Sequence, residues 1–225
     1  MQLLNGWVWP SLAVTHFALC WRIEQPAELL WIRFFVWCAT VLNVHISDRY
    51  HNSDKAPKPT RELELFWLRW DFTVITLVLA TTFTLWSAHF GWHGLLGRMA
   101  LICGACVLVA SISAYGFFER GSEKLTLAAE IVIKLCMFVE FFPCFGYMVW
   151  MALQSDCAAY TAIYFAYLPG VVVYAIKWPR DGELVGSHDY FHVAVIVGHL
   201  LSAFFDAWHL HMRVPADRQC IFVGA

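Results

Sequence analysis

A series of long apolar runs, parted by short polar connectors, constrains this chain more than any other feature. A helix needs roughly 20 apolar residues to cross the hydrocarbon core of a bilayer. Scanning at that length marks seven spans, at residues 3–21, 28–50, 65–88, 96–118, 125–151, 157–177 and 187–210. The charges are too few for a water-soluble surface: 60% of the residues are hydrophobic and 14% are charged. The expected fold is therefore all-α, a single seven-helix integral membrane domain over residues 1–225 with the lipid bilayer as its surroundings. The first run lacks a basic flank and carries Pro10, which reads as a retained span rather than a cleaved signal peptide. The polar stretch 52–64, with Pro57 and Pro59, reads as one interhelical loop. The 12 tryptophans suit rings anchored at two membrane interfaces. A net charge of −2, with no gathered basic run, excludes nucleic acid as a partner.

Cytoplasmic loops are enriched in Lys and Arg, so their distribution orients the chain. With seven spans, the connectors after the second, fourth and sixth lie on the side of the N-terminus. They carry Arg49, Lys55, Lys58, Arg61, Arg120, Lys124, Lys177 and Arg180, against Arg22, Arg98, Arg213 and Arg218 opposite. This imbalance predicts a cytosolic N-terminus and a C-terminus on the other side.

An ionisable group at membrane depth costs several kcal/mol unless it is paired, hydrated or bound to a metal, so each one is a candidate for function. At the end of the second span, Ser47 and His51 stand four apart on one helical face, whereas His45 points about 240° away from His51. Asp71 lies six residues into the third span, and its plain reading is an ion pair with Arg69 or a hydrogen bond to Trp. His188 and His192 open the seventh span, again four apart. The second span runs toward the cytosol while the third and seventh start from it. Topology therefore brings Ser47, His51, Asp71, His188 and His192 to the same side of the membrane. Three neutral imidazoles with an open fourth position make a catalytic zinc arrangement, in which bound water has a pKa near ~7. A nearby Asp orients that water or takes its proton.

These pieces resemble the progestin and adipoQ receptors and the haemolysin III proteins, within a wider set that includes alkaline ceramidases and myomaker-like proteins. Ser47-Asp48-Arg49-Tyr50-His51 is similar to the family's S-x-x-x-H, and Leu68-Arg69-Trp70-Asp71-Phe72 to its Asp motif. Lys177-Trp178-Pro179, leading into Ser187-His188-Asp189-Tyr190-Phe191-His192, looks like its basic-x-Pro connector and S-H-x-x-x-H. The resemblance implies a zinc ion on His51, His188 and His192, with Asp71 and Ser47 around the metal water. His45, roughly 9 Å deeper by helical rise, is the alternative ligand from the second span. It also implies hydrolysis of a lipid amide or ester, or a hormone receptor's role.

Three functions follow as expectations. The first is a zinc-dependent membrane hydrolase of a lipid amide or ester, in which Asp71 handles the proton and Ser47 donates a hydrogen bond. The second is a receptor or structural membrane protein whose zinc only ties helices together. The third is a transporter or proton path, since His188, His192, His199 and Asp206 fall within about 40° of one another on the seventh span. The eight cysteines read as small packing residues. That includes the Cys103/Cys106 pair, which no second pair or neighbouring His run completes as a zinc site. Glu130 and Lys134, four apart, read as an internal ion pair.

Overall fold

In the computed structural model the described residues are 10–16, 18, 27–52, 60–89, 94–115, 123–154, 158–178 and 186–211. Besides a helical stretch at residues 10–16, they include α1 (Ala27–His51), α2 (Arg61–His89), α3 (Gly94–Tyr115), α4 (Glu123–Val139), α5 (Phe145–Leu153), α6 (Thr161–Ile176) and α7 (Ser187–His211). A π-helical turn, Glu140–Cys144, joins α4 to α5, and a 3₁₀ turn, Ala158–Tyr160, leads into α6. No strand occurs among the described residues.

The helix ends follow local chemistry. Thr60 caps α2, its hydroxyl accepting from the Leu63 N–H at 3.1 Å, and Glu62 and Glu64 place negative charge in the first turn. Hydropathy does not register this charged turn, so α2 begins four residues ahead of the apolar run. Lys177 closes α6 in the left-handed region (φ 55°), where the Trp178 N–H reaches the Val173 carbonyl at 3.3 Å. At the π turn, Pro143 removes a backbone donor, and the Phe145 N–H bonds to the Glu140 carbonyl five residues back.

Among the described residues, four stretches are long and apolar enough to cross a membrane: Leu29–His51, Arg61–Ala88, Gly94–Tyr115 and Tyr190–Trp208. The α6 helix is apolar but only 16 residues long, and the predicted span 125–151 is one helical course interrupted by the π turn. Residues 10–16 of the predicted first span are helical, and the rest of it lies almost wholly outside the described residues. His16 there accepts a hydrogen bond from the Trp37 indole of α1 at 2.9 Å.

The chain forms two compact units, Met1–Gly146 and Tyr147–Ala225. In the first, α1 packs on α2, α2 on α3 and α4, and α3 on α4. The α2 helix is central and largely buried, with Phe72, Val74, Val78, Phe83 and Trp86 in the core. Thr73, Thr76, Thr81 and Thr84 donate to carbonyls of the same helix, Thr76 to the Thr73 carbonyl at 2.7 Å. By contrast α3 buries one stripe, Leu96, Cys103, Cys106 and Ala110, and turns Leu101, Leu108 and Ile112 outward. Apolar side chains exposed in this way suit contact with acyl chains.

In the second unit α6 packs on α7. Glycine permits the closeness: a Cβ on Gly170 would overlap the Ala194 methyl, and one on Gly198 would overlap the Tyr167 ring. The expected ion pair inside α4 is present, with Lys134 Nζ 3.6 Å from Glu130. The Lys134 ammonium also lies 5.2 Å from the centre of the Phe72 ring.

Candidate functional site

The first unit brings two of the expected site residues together. Ser47, in the last turns of α1, and Asp71, in the third turn of α2, are hydrogen-bonded through their side chains. Both are buried, Asp71 to 1% exposure. The contact forms because α1 and α2 pack side by side, which brings the last turns of α1 against the third turn of α2. Neither plain reading of Asp71 applies, since its partner is a hydroxyl and Arg69 instead donates to the Leu65 carbonyl at 3.2 Å. The other Asp71 oxygen, Oδ1, is buried without a hydrogen-bond partner. A buried carboxylate oxygen left open in this way is an acceptor for a ligand that brings its own donor.

His51 is the last residue of α1 and is exposed, its ring 5.1 Å from that of Tyr50. His45 is exposed as well. Ser47 and His51 share a helical face, but Ser47 is buried while His51, at the last residue of α1, is exposed. His192, on α7, is half-buried against Phe191. The backbone of His188 is helical, while its side chain lies outside the described residues. Ser47, His51 and Asp71 belong to the first unit, His188 and His192 to the second. No group of three or more His, Cys, Asp or Glu among the described residues is arranged to hold a metal ion.

Two members of the polar stripe on α7, His199 and Asp206, have neighbours within their own unit. The His199 ring nitrogen Nδ1 lies 2.9 Å from the Tyr167 hydroxyl of α6 and 2.7 Å from the Val195 carbonyl. Asp206 is buried near the Tyr160 phenol. These contacts give His199 and Asp206 a packing role between helices.

A second polar cluster was not expected. Glu140, in the π turn, is fully buried at 0% exposure, and neither carboxylate oxygen has a hydrogen-bond partner. Around it lie four cysteines, with the Cys103 thiol hydrogen-bonded to Cys144 and the Cys106 thiol to Cys136. Each pair joins α3 to the α4–π course. The signal was in the sequence: Cys136, Glu140 and Cys144 recur at intervals of four, one helical stripe facing the Cys103/Cys106 pair.

Apolar helices in series, with polar residues gathered where α1 meets α2, define a multi-pass, all-α integral membrane protein. Residues 4–203 match the haemolysin-III related family model. The chain belongs to that family, as the motifs at Ser47, Asp71 and His188 implied. No curated protein matches it significantly in sequence.

Proposed function

We propose that this protein is a zinc-binding membrane protein of seven spans, with its N-terminus in the cytosol and its C-terminus opposite, which hydrolyses an amide or ester bond of a lipid. The Ser47–Asp71 pair carries the reading. It supplies a buried, oriented carboxylate with one oxygen held by a hydroxyl and the other open. That open oxygen fits a neighbouring metal centre, and imidazoles beside a carboxylate are a donor set that zinc takes. His51, His188 and His192 are the residues that would hold the ion, with His45 the alternative on α1. Bound zinc supplies a Lewis acid that polarises a carbonyl and makes water nucleophilic near neutral pH.

The chain's own residues have the remaining work. Asp71 takes a proton on Oδ1, the oxygen facing away from its bond to Ser47. Ser47 fixes the carboxylate's direction. Burial of the pair keeps bulk water from competing for the same oxygen. The exposed apolar faces of the helices admit a lipid from the side.

The test uses the purified full chain in lipid nanodiscs with a panel of ceramides and phospholipids, reading released fatty acid by mass spectrometry. Release from at least one lipid class is expected, and its loss in Asp71→Asn. A preparation that contains zinc, turns over no lipid and melts lower after chelation would replace the hydrolase with a structural metal. Sustained proton flux in liposomes, without lipid turnover, would replace it with a transport path.

A further inference from the structure

Glu140 and the four thiols around it are not used by the proposed hydrolase, and the cluster carries an inference of its own. Three observations define it. Two thiol pairs, Cys103 with Cys144 and Cys106 with Cys136, bridge the same two helical courses. None of the four is in a disulfide. Beside them the fully buried Glu140 carboxyl has no hydrogen-bond partner for either oxygen. A polar side chain left so is rare in a packed interior, and π turns recur where a helix has been re-phased for function.

Packing alone explains small thiols in an apolar stripe, but it does not explain a carboxyl aimed among them with nothing to bind. Soft sulfur ligands select soft cations. The sulfurs are placed as pairs, and no group of three ligands is assembled among the described residues, which disfavours the tetrahedral demand of zinc. Two facing thiols satisfy a monovalent soft cation that accepts two ligands.

We propose that Cys103 and Cys144, with Glu140 beside them, form a two-coordinate site for Cu(I). Cys103 and Cys144 are the inner pair, at 0% and 1% exposure, against 9% and 8% for Cys106 and Cys136. Binding releases the two thiol protons and forms two S–Cu bonds, with no change of oxidation state. The bis-thiolate complex carries one net negative charge, and the Glu140 carboxyl in its acid form donates a hydrogen bond to sulfur, which answers its missing partner.

The experiment titrates Cu(I), kept reduced with ascorbate under nitrogen, into the full chain in detergent against a chromophoric Cu(I) chelator. The wild type is expected to take up a first equivalent with a thiolate-to-copper charge-transfer band in the ultraviolet. Cys103→Ser with Cys144→Ser is expected to abolish that equivalent, while Cys106→Ser with Cys136→Ser and His51→Ala each retain it. Glu140→Leu is expected to weaken binding about ten- to a hundredfold, and Glu140→Gln, which keeps a donor, to restore most of it. X-ray absorption of the copper-loaded wild type, which depends on no variant folding, is expected to show two sulfur neighbours. No uptake by the wild type, a shell of nitrogen and oxygen, or a first equivalent unchanged in the Cys103/Cys144 variant would each overturn the site. So would a mass lower by two hydrogens per pair, since it would assign the pairs to disulfides. Because His51→Ala removes a proposed zinc ligand and spares the thiols, failure here and failure of the hydrolase are separable.

Discussion

Asp71 and Glu140 are both buried acids of the same compact unit, exposed by 1% and 0%, yet they are held in opposite ways. Asp71 sits in the third turn of α2 against the last turns of α1, takes a hydrogen bond from Ser47 on one oxygen and leaves the other open. Glu140 sits inside a helical course, at a π turn, among thiols and with both oxygens unpartnered. Burial alone therefore does not mark a site. A carboxylate fixed by one partner is prepared to act as a directed acceptor, whereas one with none is a local cost that only a guest or a proton relieves.

The comparison breaks most visibly in catalysis. If Asp71 moves the proton, Asp71→Asn is expected to lower lipid hydrolysis by about 10²–10⁴-fold, the span seen for removal of a general acid or base. Glu140→Gln, measured in the same release assay, is expected to stay within about threefold, roughly the scatter of context effects. Equal losses in the two would erase the distinction.

Stability sharpens it with opposite signs. Replacing Glu140 by Met, of similar volume and without unpaired oxygens, is expected to stabilise the copper-free protein by about 1–3 kcal/mol. Ser47→Ala strips Asp71 of its hydroxyl partner and is expected to destabilise by a similar ~1–3 kcal/mol. Thermal unfolding in one detergent, followed by circular dichroism, reads both. In the second unit, Gly198→Ala is expected to destabilise by about 1–3 kcal/mol, because its methyl meets the Tyr167 ring and pushes it off His199. The smallest effect is expected at Lys177. Its left-handed backbone favours glycine by ~1 kcal/mol, offset by the ammonium 4.3 Å from the Tyr174 ring, so Lys177→Gly is expected to shift the melting point only slightly.

Much of this was legible in the residues. Apolar run length located α1, α2, α3 and α7 to within a few residues, and topology put Ser47 and Asp71 on one side of the membrane, though not in contact. The helix ends were less legible, since Thr60 and the charged turn after it extend α2 into sequence that hydropathy reads as loop. The interruption of span 125–151 was hidden because Pro143 breaks the hydrogen-bond ladder without changing the apolar pattern. Glu130 with Lys134 was readable from spacing within one helix. The thiol pairs were not, since Cys103 meets Cys144 only after α3 and α4 have packed. His51 marks the limit of face arithmetic: it shares a stripe with Ser47 yet is exposed, because the helix ends with it.

Zinc on His51, His188 and His192 is the centre of the functional account. Elemental analysis of the purified chain, beside His51→Ala, His188→Ala and His45→Ala, tests it most directly. One zinc per chain is expected in the wild type and in His45→Ala, and none in the other two. Metal absent from the wild type, or retained in both His51→Ala and His188→Ala, would contradict it.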